Sequence, residues 1–199
     1  MLKIKKAKIA CVILAAGKSA RFGGIKQLYR FQREMLVQRA LNAANESSAD
    51  YVVIVLGANS DKILETTNLG RAQILLNKKF ESGLSSSIRC GISNLPDDSA
   101  GCILMVADQP WLTSKHLNKL VKEFKEGNFK HVVALSHNKV PRNPVLFPKR
   151  LFPRLMKMRG DSGAREIMIA SKELRLVEIR DRKVFVDIDT RRSLNDLDE

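Results

Sequence analysis

Cysteine, histidine and aromatic residues are scarce in this chain: three cysteines, three histidines, one tryptophan and two tyrosines in 199 residues. Cys11, Cys90 and Cys102 form no pair with the spacing of a metal site and sit in apolar surroundings, which points to buried thiols in a reducing cytoplasm. His116, His131 and His137 show no ligand spacing either, so they read as surface or structural residues. No apolar run approaches the roughly 20 residues of a membrane span. The basic and apolar start, MLKIKKAKIACVILAAG, invites comparison with a signal peptide, but its lysines alternate with apolar residues and its apolar part runs straight into a turn, so a first strand is the better reading. Internal repeats, low-complexity segments and linkers are lacking, and residues 1–199 are expected to form one domain.

Acidic residues are also short, 21 against 35 basic, a formal charge of +14. Such a surplus favours anionic partners: nucleotides, phosphorylated metabolites or nucleic acid. The basic residues are spread along the chain and no aromatic-rich RNA-binding pattern accompanies them, so a nucleic-acid role rests on charge alone and is not expected.

What is present is an alternation of apolar runs and helical patterns. Residues 9–15, 51–56, 72–76, 101–107 and 131–135 read as buried strands, and 174–179 and 183–186 as shorter late ones. Helices are expected over 36–44, with Leu36, Val37, Ala40, Leu41 and Ala44 on one face, over 85–95, and after Thr113 with Leu117, Leu120, Val121 and Phe124 inward. This alternation predicts an α/β fold, Rossmann-like, with a mostly parallel central sheet and helices on both faces. Ligands of such sheets bind beyond the carboxyl ends of the strands. Three polar motifs fall there: AAGKSARFGG, DQP and DID.

The segment LAAGKSARFGG, residues 14–24, contains a GKS but is not a P-loop, since the first glycine of that template would fall at Val12. A dinucleotide loop fails as well, because Ser19 stands where its second glycine is required. What remains is a small-residue turn, Ala15-Ala16-Gly17, with Ser19 as a hydroxyl donor and Lys18, Arg21 and Lys26 as cations. That composition suits a triphosphate, and equally a solvated basic loop. Asp108 ends an apolar strand and can hold Mg²⁺ or cap the turn before Pro110. Asp187 and Asp189, with one residue between them, are both candidates for that metal, and at most one is expected to share it. Gly160-Asp161-Ser162-Gly163 precedes a helical pattern and can present N–H groups to a phosphate, or be an ordinary capped turn. Phe22 and Trp111 read as packing residues.

LAAGKSARFGGIKQL resembles the signature of the nucleotidyltransferases related to molybdenum cofactor cytidylyltransferase, roughly LAAGxSxRFGxxKxL. NKKFESGLSSSIRCG (77–91), DQP (108–110), RNPVLF (142–147), RGDSGAREIM (159–168) and DIDTRRSLNDL (187–197) are similar to that group's later blocks, so the likeness covers nearly the whole chain. The guanylyl branch usually has Gly where Ala16 stands. There are two departures. Relatives usually carry Gly at the position of Arg142, and Pro-Glu-Asp where this chain has Arg191-Arg192-Ser193. The resemblance implies a GT-A-like nucleotidyltransferase that moves CMP from CTP to a molybdopterin-type acceptor with Mg²⁺. Leu14, Ala15, Ala16, Gly17 and Ser19 would hold the nucleotide, with Arg21 and Lys26 on its phosphates and Asn77, Ser86 and Ser87 near base and ribose. Arg21, Lys26 and Asp108 would be catalytic; Asp108 would bind the metal, assisted by Asp187 or Asp189. Arg142, Asn143, Asp161 and Gly163 would face the acceptor. The alternatives are another acceptor, such as a sugar or alcohol phosphate, GTP as donor, or a maturation protein that delivers the cofactor to a molybdoenzyme.

Overall fold

The computed structural model describes residues 7–20, 22–161 and 163–190. Nine strands and six helices follow one another as β1 (Lys8–Ala15), β2 (Arg30–Phe31), β3 (Glu34–Met35), α1 (Leu36–Asn45), β4 (Tyr51–Leu56), α2 (Ser60–Thr66), β5 (Gln73–Leu76), α3 (Leu84–Ser93), β6 (Ser99–Val106), α4 (Ser114–Glu126), β7 (Val132–His137), β8 (Val140–Pro148), α5 (Phe152–Met156), α6 (Arg165–Ile169) and β9 (Leu174–Glu178). Seven strands form one sheet in the order β5-β4-β1-β6-β8-β7-β9, and β2 and β3 make a separate two-stranded hairpin. All pairs of the large sheet are parallel except those of β8, which runs antiparallel to both β6 and β7.

The layers follow from the period-2 alternation of strands against the 3.6-residue period of helices. On β1, Ile9, Cys11 and Ile13 face a core completed by Val37 and Leu41 of α1 and Leu117, Leu120 and Phe124 of α4. Ala10, Val12 and Leu14 face the opposite core, closed by Ile88 and Ile92 of α3 with Leu155 and Met168. A third, smaller cluster joins Phe22 and Phe31 to Leu36 and Ile188 beyond the strand ends. Trp111 packs edge-on against Phe31, with ring centroids 4.8 Å apart. Phe22 and Trp111 are thus packing residues.

One expectation is corrected, and one element is new. Residues 183–186 are not a strand. Arg182–Phe185 form a 3₁₀ turn capped by the Asp181 carboxylate, which accepts from the Lys183 N–H. The hairpin return β8 was not expected at all, because Pro141, Pro144 and Pro148 interrupt it and prolines are ordinarily kept out of central strands. Its inner half, Val145–Phe147, pairs fully with β6. No helix among the described residues is long and apolar enough to cross a membrane.

The seat of α3 on the sheet depends on Gly91. A Cβ built there would lie 2.6 Å from Val12 Cγ1 of β1, well inside contact distance. Gly91→Val should therefore overpack this interface and destabilise the fold by about 1–3 kcal/mol. At roughly 2–4 °C per kcal/mol for a domain of this size, a thermal melt should register the loss; an unchanged melting temperature would show that the helix shifts freely.

Candidate active site

Order β4-β1-β6 in the sheet centre places the carboxyl ends of the parallel neighbours β1 and β6 side by side, with a crevice beyond them. Such a crevice is where open α/β sheets bind ligands. The loop after β1 and the Asp108 turn after β6 line one cleft of about 650 Å³.

The shape of the first loop is set by a residue the motif reading passed over. Gln27 is 5 % exposed, and its Nε2 donates to the carbonyls of Ala15 at 3.2 Å and Gly17 at 2.8 Å. Its Oε1 accepts from Ser19 Oγ at 3.0 Å. Ser19 holds a left-handed φ of 58°, an uncommon state for a residue with a side chain, and that hydroxyl contact offsets part of its cost. Because each trans peptide is planar, the N–H groups of Ala16 and Lys18 point away from Gln27. Ala15 and Ala16 are buried; the exposed face of the loop begins at Gly17 and Lys18. Only a hydrogen-bonding side chain of this length closes the loop, a demand that leaves no mark in the spacing of glycines.

Lys26 sits just beyond this loop. Its Nζ is 2.6 Å from Asp108 Oδ2 and 3.2 Å from Asp189 Oδ1. Burial of the ammonium disfavours its charge, but the Asp108 carboxylate, with Asp189 behind it, outweighs that penalty and raises its pKa. Lys26 is therefore a fixed cation at neutral pH. Asp108 Oδ1, by contrast, is buried and has no hydrogen-bond partner. The late acidic segment reaches the edge by one backbone contact: the Ile188 N–H donates to the Asp108 carbonyl at 3.0 Å, and the Ile188 side chain is fully buried.

That anchoring divides the two aspartates. Asp189 lines the cleft with Lys26 and Asp108, while Asp187 lines a neighbouring cavity and accepts from Gln109 Nε2 at 2.9 Å. Asp187 is exposed as a residue, yet partial burial of its carboxyl and then the Asp108 charge push its pKa up to about 6. Ser87 reaches the cleft wall; Asn77 and Ser86 lie behind it, with Asn77 Nδ2 donating to the hydroxyls of Ser86 at 2.8 Å and Ser87 at 3.1 Å. Arg142, Asn143 and Gly163 line the second cavity, whereas Asp161 lines the first. Asp161 Oδ1 caps α3 by accepting from the Leu84 N–H at 3.3 Å, and the Gly160 carbonyl accepts from the Ser85 N–H. Of 160–163, then, the first two residues serve a helix start other than the one that follows them, which α6 shows to be only five residues long. Lys18 is drawn to Glu81 at 2.5 Å on the cleft rim. Arg21, Ser162 and the Arg191-Arg192-Ser193 departure lie outside the described residues.

The donor set for a divalent cation consists of hard carboxylate oxygens. The orphaned Asp108 Oδ1 and the position of Asp189 across a cation fit Mg²⁺ or Mn²⁺. No group of three or more His, Cys, Asp or Glu side chains gathers for a metal among the described residues. Two carboxylates supplemented by phosphate oxygens are the ordinary ligands of Mg²⁺ in nucleotide sites.

An open α/β sheet whose central strand ends hold a small-residue loop, a half-buried lysine and two carboxylates is the framework of an enzyme that handles nucleoside triphosphates. Residues 11–175 match the MobA-like NTP transferase domain, and the chain belongs to that family of nucleotidyltransferases. It is 29% identical over 186 residues to nicotine blue oxidoreductase of Paenarthrobacter nicotinovorans, covering 90% of this chain and 91% of that protein. With molybdenum cofactor cytidylyltransferase of Escherichia coli (strain K12) it shares 23% over 183 residues, 92% and 91% of the two chains. The crystal structure of Rv0371c from Mycobacterium tuberculosis H37Rv superposes with a TM-score of 0.84 at 21% identity, over 96% of this chain and 97% of that one. A structure of the same protein in complex with manganese gives 0.81 at 20% identity and the same coverage.

Two outcomes test this geometry. Gln27→Leu strips both loop carbonyls of their donor, which should cost about 1–3 kcal/mol and speed hydrogen exchange at residues 16–19; protection equal to wild type would remove Gln27 from its role. For Asp187 the sign follows from its raised pKa: the folded state binds more protons than the unfolded one between the ordinary carboxylate range and about 6. Its contribution to stability is complete at the acid end and is lost as pH rises through about 6. Denaturant titrations of wild type and Asp187→Asn should thus diverge in that window, the variant gaining relative to wild type as pH rises, and a constant difference would refute the shift.

Proposed function

We propose that the protein transfers CMP from CTP to the phosphate of a molybdopterin-type acceptor and releases pyrophosphate. The observation that carries this reading is Lys26 Nζ, 2.6 Å from Asp108 and 3.2 Å from Asp189 in the cleft that the 14–19 loop also lines. Ala16, where the guanylyl branch usually has glycine, favours CTP. Leu14, Ala15, Ala16, Gly17 and Ser19 shape the nucleotide side, and Ser87, oriented with Ser86 by the Asn77 amide behind them, bounds the base and ribose.

An oxygen of the acceptor phosphate attacks the α-phosphorus of CTP. A new P–O bond forms as the bond to the bridging oxygen breaks, and the electron pair leaves with pyrophosphate. Lys26, already desolvated and charged, meets the charge that grows on the leaving group, and Arg21 is assigned the same task. Such chemistry depends on positioning and fixed charge rather than on a covalent enzyme intermediate. Asp108 and Asp189 would hold a divalent ion, Mg²⁺ in this reading, which supplies charge neutralisation at the phosphates. Asp187 stands on the acceptor side, so its share in the metal is the smaller. Release of Lys26 from the carboxylates toward phosphate would accompany nucleotide entry.

Arg142 in the second cavity, where relatives usually have glycine, supports a second reading in which the acceptor differs: a sugar or alcohol phosphate, with CTP or GTP as donor. The relative called nicotine blue oxidoreductase adds weight to a varied acceptor side. A delivery role toward a molybdoenzyme would need binding of the cofactor and that partner without turnover. The three free thiols, Cys11, Cys90 and Cys102, agree with a reducing cytoplasm.

Pyrophosphate release should be measured with CTP, GTP, ATP and UTP in turn, with Mg²⁺ and the molybdenum-loaded pterin; release with none of the four would sink the transfer reading. Lys26→Ala is expected to lower kcat by about 10²–10³ while changing the KM for CTP much less, and an unchanged kcat would take Lys26 out of the chemistry.

A further inference from the structure

The second cavity, about 220 Å³, shares Leu14, Leu84 and Val106 with the nucleotide cleft. Its body is apolar, with Ile88, Leu104, Val145, Phe147 and Met168 in the wall. A cavity of this kind recognises a flat or aliphatic body by exclusion of water and reads its identity through a few placed polar groups.

One such group is Gln109, which lines the cavity and is 7 % exposed. Its Oε1 is buried and unpartnered. The other end of the amide is committed, since Nε2 donates to Asp187 Oδ1 at 2.9 Å. An ionised carboxylate only accepts, so Asp187 decides which way the amide faces and leaves the oxygen as the end without a partner. A buried amide oxygen left in that state opposes folding, and it is retained where something else supplies the missing donor. Nothing in the nucleotide cleft uses it. Arg142 and Arg165 also line this cavity, and both are exposed residues, so the cationic groups lie toward solvent while Gln109 lies within.

We propose that Gln109, oriented by Asp187, selects the acceptor by taking a hydrogen bond from it: the cavity receives a flat ring with an N–H or O–H donor on its inner edge and an anionic arm toward Arg142 and Arg165. This rests on the reading of the second cavity as the acceptor side of nucleotidyl transfer. An acceptor of the same shape without the donor would leave Gln109 Oε1 unpaired, and a site built around a buried polar group rejects such an analogue far more strongly than an apolar site rejects an extra methylene.

Two probes separate the contributions. Pterin-6-carboxylate offers a flat ring, N–H donors and a carboxylate; 2-naphthoate offers the ring and the carboxylate alone. Calorimetric titration of the full chain should show pterin-6-carboxylate binding wild type more tightly than 2-naphthoate. Gln109→Met, which keeps the volume and removes the acceptor oxygen, should weaken pterin-6-carboxylate by about 10- to 100-fold and leave 2-naphthoate unchanged. Arg142→Gln should weaken both. Binding of 2-naphthoate together with a wild-type melting curve checks that the Gln109 variant is folded; where that variant unfolds, competition of the two probes on wild type still decides the donor preference. Failure of pterin-6-carboxylate to bind wild type, no preference between the probes, or an equal loss of both in Gln109→Met overturns the proposal. The outcome is separable from the transfer reaction. Wild-type turnover with an acceptor KM that Gln109→Met does not change removes Gln109 and spares the transfer, whereas selective loss of the pterin probe in a protein that releases no pyrophosphate spares Gln109 and removes the transfer.

Discussion

A single ammonium group held between two carboxylates organises the functional edge of this protein. Lys26 bridges Asp108, at the end of a central strand, and Asp189, on the late extended segment. Each carboxylate so close to its neighbour would repel it without a cation between them. The lysine thus permits the acidic segment to lie against the strand end, and the Ile188-to-Asp108 backbone bond then fixes its register. With that register set, Asp189 lines the cleft beside Lys26 and Asp187 lines the neighbouring cavity. One ion pair and one backbone bond therefore divide the site into two compartments that share a wall.

The rest of the scaffold serves that division. β1 and β6 are parallel neighbours, so the loops that follow them emerge together. The antiparallel β8 brings Arg142 and Asn143 back across the sheet to the second cavity, which a parallel strand in that place would not do without a further crossover. α3 is capped from outside by Asp161 and the Gly160 carbonyl, and this joins the two cavities' walls across Gly83. Gly83 takes a φ of +87°, and a Cβ there would lie 2.5 Å from Gly160 backbone atoms, so glycine is required for the approach.

Much of the fold was legible from patterns of local period. The inward faces predicted for the helices at 36–44 and after Thr113 are those buried in the structure, and six of the seven expected strands appear within one or two residues. Boundaries slipped where hydrogen bonding rather than hydrophobicity ends an element. β8 escaped because three prolines oppose the ordinary signal, and the false strand at 183–186 arose because a short apolar run, Val184-Phe185-Val186, suits a 3₁₀ turn as well. The site was legible in residue type, less so in role. Gln27 and Gln109 carry no spacing signal, since a buried glutamine is recognisable only by what surrounds it.

By itself the sequence determined most of the parallel strands, the main helices between them and the faces they bury, and the stock of cationic, acidic and small residues placed at the strand ends. Those are consequences of local periodicity and side-chain chemistry, which act over a few residues. The tertiary structure alone decided which charges meet, because Lys26 lies 82 positions from Asp108 and 163 from Asp189, and no local rule links such distances. It also decided which aspartate serves which compartment and which glutamine oxygen is left without a donor. These depend on the exclusion of water and the closing of backbone bonds in a packed interior, where an unpaired group costs far more than it does along an open chain.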